Sequence, residues 1–308
     1  MRAITGLGPR PNRAVSTANE WVKLSDQRKR GRLLTTIAVI GATGTAGSRV
    51  VARLRAREVA VVEISRAHGI DLLSGEGLYR AFKGVDVAID VSNPAPHDGQ
   101  PTVVEALVTA ARNIMGVCAA RDVQRLVVST MAGIDDPAFG GAPYFEAKRA
   151  AKEILLDGPV PTTVVKSTPW YESATGPPGP VHGDGDQVIV EDWLIQPIAA
   201  DTVADVLVET ALGQTPTPRT ITGPETIRLP ELTSKVLARQ GDSRTVRPVK
   251  PAVPALAAGA LLATERAVVV GPDVETWLRS LPPAGADGHA QDGDGAHALS
   301  HRPDLSRM

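Results

Sequence analysis

The chain has 308 residues and a formal net charge of −1, enough length to bury a sizeable core and too little charge to attract nucleic acid or an anionic membrane surface. Its single cysteine, Cys118, excludes an internal disulfide framework, and no apolar run reaches the ~18 residues needed to span a bilayer. The expectation is a cytoplasmic protein that acts on a small molecule, with no nucleic-acid or membrane partner and no metal.

Residues 1–32 carry Pro9, Pro11 and the basic run Arg28 to Arg32, with little apolar periodicity. They read as a disordered extension, with an over-long start or a transit peptide as alternatives, since Arg2, Arg10 and Arg13 precede the first acid, Glu20. The apolar run Ile37 to Ile40 then predicts a buried strand that stops at Gly41. Glycines recur at Gly44 and Gly47, and the helical pattern Val50, Val51, Leu54 follows. A strand, a glycine turn and a helix in this order form a phosphate-binding corner. Gly41 allows the tight turn, Gly44 lets a pyrophosphate approach the backbone, and Gly47 lets the helix lie close to the strand. The N–H groups around Thr43, Thr45 and Ala46 are expected to point at the anion, aided by the helix dipole.

Val59 to Ile64 reads as the second strand, Gly77 to Phe82 as a short helix, and Asp86 to Val91 as a third strand. Val103, Val104, Leu107, Ala110, Ala111, Ile114 and Cys118 share one helical face, where the thiol reads as packed rather than nucleophilic. Gln124 to Ser129 is a buried strand, Phe145 to Leu156 a helix and Thr162 to Lys166 a further strand. This βαβαβ order predicts a parallel sheet with helices on both faces. Beyond Pro169, the Pro- and Gly-rich stretch from Pro177 to Gly185 reads as a mobile loop. A helix at Asp201 to Leu212, a strand near Thr220 and a helix at Pro230 to Ala238 are expected to form a small cap at the carboxyl ends of the strands. Pro254 to Ala263 reads as a packed segment, and residues 282–308, with His289, His297 and His301, as a disordered tail.

The end of the second strand sets the choice between NAD and NADP. Glu63 lies where an acid could hold a ribose 2′-hydroxyl. Arg66, in the exposed turn beside Ser65, could instead pair with a 2′-phosphate. Because the apolar run ends at Ile64, Glu63 stays within the strand and NADP(H) is favoured. Asp71 and Leu72 are placed at the adenine edge, and Ser92 and Asn93 at the ribose side.

Tyr144 and Lys148 are four residues apart, so on a helix they share a face. A cation there favours phenolate and lets the tyrosine exchange a proton with a carbonyl or an alcohol; the lysine could also hold the nicotinamide ribose. Ser129 and Thr130 end the preceding strand and offer hydroxyls to orient the substrate oxygen.

These motifs, together with Gly69 to Leu78, Val85 to Asn93, Leu126 to Thr130, Gln196 to Asp201, Gly223-Pro-Glu225 and Trp277-Leu278, carry a resemblance. The chain resembles an atypical short-chain dehydrogenase/reductase of the NmrA-like, NAD(P)H-binding type, from about Leu33 to Leu281. The resemblance implies an α/β fold: a Rossmann-type doubly wound parallel sheet, a bound dinucleotide and a small C-terminal substrate-binding subdomain, here about residues 169–281. It also implies an active-site Ser or Thr after the fourth strand, a place contested among Ser129, Thr130 and Met131. Where relatives carry Arg followed by an aromatic loop, this chain reads Lys166 to Tyr171, so Trp170 and Tyr171 are the expected substrate wall. The expected activity is NADP(H)-dependent hydride transfer to or from a small carbonyl, enone, quinone or alcohol. A non-catalytic dinucleotide sensor and a cofactor-retaining isomerase or epimerase are the alternatives.

Overall fold

The computed structural model describes residues 35–94, 102–176, 181–213, 220–264 and 266–282, with only the backbone at Val181, His182 and Asp184. The first half alternates strand and helix: β1 (Thr36–Ile40), α1 (Thr45–Ala56), β2 (Ala60–Ile64), α2 (Leu78–Ala81), β3 (Val87–Asp90), α3 (Val103–Ala120), β4 (Arg125–Met131), α4 (Pro143–Leu156) and β5 (Thr162–Ser167). Then come β6 (Val181–Asp184), β7 (Gln187–Glu191), β8 (Leu194–Ile195), α5 (Ala200–Leu212), β9 (Thr220–Thr222), β10 (Ile227–Arg228), α6 (Leu229–Gln240), β11 (Thr245–Val249), α7 (Pro254–Ala257), β12 (Val268–Val269) and α8 (Val274–Ser280).

The central sheet has seven strands in the order β12-β9-β5-β4-β3-β1-β2, and every neighbouring pair is parallel. Its inner strands are short apolar runs because both faces are covered. On one face Val50, Val51 and Leu54 of α1 meet Val203, Leu207 and Val208 of α5 over Ile37, Val39 and Val127. On the other, Phe82, Ile114, Cys118 and Leu155 cover Ala38, Leu126 and Val128. The chain leaves β1 for β2 on one side and returns to β3 on the other. This reversal opens a crevice at the carboxyl ends of β1 and β3, where open α/β sheets receive ligands.

The expected parallel α/β architecture is therefore present, with one reassignment. The helix at Asp201 to Leu212 and the strand near Thr220 belong to the central layers, not to a cap. α5 buries an apolar stripe against the sheet, its acids Asp201 and Asp205 pair with Arg49 and Arg53 of α1, and β9 joins the sheet beside β5. A separate cluster gathers Tyr171, Val190, Leu232, Val236 and Trp277. It is built with the three-stranded β11-β7-β6 sheet and the β10-β8 pair.

Of the expected mobile loop, residues 177–180 lie outside the described residues. From Val181 onward the chain forms a hairpin of β6 with β7, turning at Gly185, whose φ is +53°. Leu256 and Leu261 are buried, so the Pro254 to Ala263 segment is packed. Residues 1–34 and 283–308, where a disordered extension and tail are expected, lie outside the described residues. Among the described residues α3 is the one helix long and apolar enough to cross a membrane. Here its apolar face is core, with Leu107, Ala110, Ala111, Ile114 and Cys118 buried. Burial, and then the charge of Asp90, push the Cys118 thiol up to about 12, so it is a packed group.

Candidate active site

Gly41 follows β1 with φ +83°. A Cβ there would come within 2.9 Å of the Ser92 Cα, so the turn after β1 lies directly against the chain leaving β3. At Gly47 a Cβ would fall 2.0 Å from the Gly41 carbonyl oxygen; only glycine lets α1 start so close to the strand. Gly44 is the N-cap of α1 and supplies no side-chain cap. The N–H groups of Thr45, Ala46 and Gly47 form the first turn, which has no carbonyl four residues back within the helix. Thr43 and Gly44 are exposed beside them. The result is a cradle of backbone donors at the positive end of a helix, fit for a pyrophosphate.

At the end of β2, Glu63 is held by Arg55 of α1, with His68 Nε2 at 3.7 Å. Its carboxylate is thus engaged on the α1 side. Ser65 Oγ and His68 Nδ1 share a hydrogen bond of 2.7 Å, and Arg66 is exposed. Asp71 accepts the N–H groups of Leu73 (2.6 Å) and Ser74 (3.2 Å). The Leu72 carbonyl accepts Asn113 Nδ2 at 2.8 Å. The segment expected at the adenine edge is therefore anchored to α3.

The crevice between β3 and β4 collects the chemistry-bearing side chains. Ser92, Ser129, Thr130, Lys148 and Lys152 line one cleft together with Asp90. Thr130 is only 8% exposed and by strand alternation shares the face of Val128, beneath α4. Tyr144 Oη donates to Asn93 Oδ1 at 3.3 Å, and Lys148 Nζ lies 5.8 Å from the Tyr144 ring centroid. One helix face thus presents both groups, and Asn93 links the phenol to the segment that borders Gly41. Met131, the third contender after the strand, is partly buried against Ile134, Phe139 and Phe145, with Tyr144 packed on the same cluster.

Asp90 is the residue that sequence reasoning passed over. It ends β3, is 7% exposed, and accepts the Ser92 N–H at 2.9 Å. Burial raises its carboxyl above the ordinary value, against the Ser92 hydrogen bonds and the charge of Lys148. An acid closing an otherwise apolar strand was the available signal. Nearby, Asp135 bridges Lys152 and Lys166. Burial opposes its ionisation, but the hydrogen bonds and charges of the two lysines outweigh this and hold its carboxyl below the usual range.

The expected aromatic wall loses Tyr171. Tyr171 is fully buried, stacks on Trp277 with ring centroids 4.7 Å apart and donates its hydroxyl to the Pro272 carbonyl at 3.1 Å. Burial, and then the surrounding carboxylates, push its phenol up. It is core because its ring closes the cluster under α6 and α8. Trp170 is partly buried against the α5 side of the sheet, with its indole N–H donating to Ser167 Oγ at 2.9 Å.

A family model described as NAD(P)H-binding matches residues 41–213. No curated protein matches the chain. Solved structures of similar fold include a UDP-glucose 4-epimerase from Thermus thermophilus in complex with NAD, at 17% identity and TM-score 0.56, covering 77% of this chain and 90% of that one. UDP-N-acetylglucosamine 4-epimerase from Bacillus cereus aligns at 13% identity and TM-score 0.54, covering 81% and 98%. Triphenylmethane reductase from Citrobacter sp., complexed with NADP(H), aligns at 16% identity and TM-score 0.50, covering 80% and 96%.

Proposed function

Since the chain belongs to the NAD(P)H-binding family and shares the Rossmann-type fold of the short-chain dehydrogenase/reductase superfamily, we propose that it is an NADP(H)-dependent oxidoreductase acting on a small carbonyl, enone, quinone or alcohol. When bound, the dinucleotide supplies or accepts hydride at nicotinamide C4. The backbone N–H groups of Thr43, Thr45, Ala46 and Gly47 hold its pyrophosphate, while that of Gly44 is spent on the Gly41 carbonyl at 3.0 Å. Ser65 and Arg66 hold a 2′-phosphate; the engagement of Glu63 by Arg55 favours this over an acid on a free ribose hydroxyl. Asn93 and Lys148 face the nicotinamide ribose, Tyr144 gives or takes the proton at Oη, and Thr130 or Ser129 orients the substrate oxygen.

The observation that carries the reading is the hydrogen bond from Tyr144 to Asn93, one residue from the Ser92 backbone that borders Gly41. It supports the reading by bringing the Tyr144 phenol close to the chain that borders the glycine corner. Fluorescence titration with NADPH and NADH, followed by a turnover screen on carbonyls and quinones, tests it. Tyr144→Phe is expected to abolish turnover and to leave NADPH affinity unchanged; undiminished turnover removes Tyr144 as the proton donor. NADPH binding with no turnover on any substrate would favour a redox sensor. Tightly copurified cofactor with no net oxidation would favour an isomerase or epimerase.

A further inference from the structure

The phenol stands at the edge of an apolar cluster with no part in the chemistry above. Ile134, Phe139, Phe145, Leu256 and Leu261 are buried together, and Phe139 stacks on Phe145 with ring centroids 4.1 Å apart. Tyr144, Met131 and Trp193 are only partly buried, and all three lean on this cluster, Trp193 also packing against the cluster around Tyr171. They come from three places: the start of α4, the end of β4 and the turn between β7 and β8.

The chain fixes this arrangement. Gly133 has φ +79°, and a Cβ there would fall 2.2 Å from the Ala260 carbonyl oxygen. The loop after β4 therefore lies directly on the segment after α7. The Trp193 indole N–H donates to Glu191 Oε2 at 2.7 Å. Its one polar atom is spent within its own turn, and the remaining ring is an apolar face. Met131 adds a flexible thioether that adapts to an irregular apolar shape. A hydroxyl placed against the Met131 thioether or the face of the Trp193 ring would lose water without gaining a hydrogen bond there.

We infer that this side of the site is an apolar subsite for the body of an aryl carbonyl or quinone, with Met131 and Trp193 setting the preference. The inference rests on the reading of Tyr144 as the proton donor. In the reductive direction the carbonyl carbon accepts hydride from NADPH, and the C=O π pair moves to oxygen. That oxygen takes the Tyr144 proton, leaving the alcohol and NADP⁺, and the phenolate recovers a proton from water.

The test follows NADPH oxidation with 1,4-naphthoquinone and benzaldehyde against glyceraldehyde and glucose. The aryl pair is expected to exceed the hydroxylated pair by about 100-fold or more in kcat/KM, the scale set by hydroxyls left unpaired in an apolar site. Trp193→Ala should raise KM for the aryl pair by about tenfold, the loss expected for part of a buried apolar contact, with kcat and NADPH affinity kept. Trp193→Phe should restore it. Met131→Ala should lower the aryl-to-hydroxylated ratio in the same way, and it serves if Trp193→Ala does not fold. A preference for the hydroxylated pair, or ratios unmoved by both substitutions, overturns the inference. Should neither pair be turned over, calorimetric titration of benzaldehyde into the NADP⁺-loaded protein decides. Saturable binding lost in Trp193→Ala keeps the subsite and sinks proton transfer by Tyr144; no binding sinks both.

Discussion

Arg66 and Glu63 show how a three-residue offset changes what a side chain can reach. Glu63 still belongs to β2, and Arg55 of α1 claims its carboxylate. Arg66 is past the strand and exposed. Arg66→Ala is therefore expected to weaken NADPH about tenfold while leaving NADH unchanged, the size of a lost charge-assisted pair to phosphate; paired fluorescence titrations measure both, and an equal loss would show that Arg66 does not read the 2′-phosphate. Tyr171 makes the opposite point. Its ring is locked on Trp277 and its hydroxyl on the Pro272 carbonyl. Tyr171→Phe should cost about 1 kcal/mol of stability in urea unfolding, the net value of one hydrogen bond, with NADPH affinity and turnover unaltered. The sequence made the glycines, Tyr144 and Lys148 legible because their spacing is local. It could not assign Tyr171 or Asp90, because burial depends on which distant elements close over a side chain.

Between elements, a few contacts decide the geometry. α1 starts against β1 only because position 47 lacks a side chain. Gly47→Ala is expected to cost roughly 1–3 kcal/mol, as overpacking does, and to abolish NADPH binding; a variant of normal stability and affinity would show that the helix has room to shift. β5 and α4 are tied through Asp135, which accepts from Lys152 and from Lys166 at 2.5 Å. Its folded-state pKa is lowered by those lysines, so the stabilisation is present above the ordinary carboxylate pKa of about 4 and fades as pH falls through the folded value. The melting temperature of Asp135→Asn should accordingly lie below that of the parent at pH 7, with the gap narrowing as the pH is lowered below about 4. Apolar periodicity announced each of these elements but not their partners. α5 and β9 carry the same local signals whether they cap the sheet or extend it. The ion pairs from α5 to α1 and the register of β9 on β5 are long-range facts.

Over the whole molecule, the parallel sheet and its crevice followed from the order of strands and helices, since right-handed crossovers leave few alternatives. The cluster around Tyr171 and Trp277 was illegible because its parts are scattered from residue 171 to residue 278. Strands of two to five residues give too little pattern to read. One joint spans the scales. The turn after β1 touches the backbone at Ser92, and the next residue receives the Tyr144 hydroxyl. Occupancy of the corner and presentation of the phenol therefore share one short stretch of chain. On the proposed reading, replacing a single hydroxyl in a lineage built on this joint would convert a catalyst into a reporter of the nicotinamide pool with no change of architecture. Gain or loss of turnover among descendants should then track that one atom, while the glycines stay fixed.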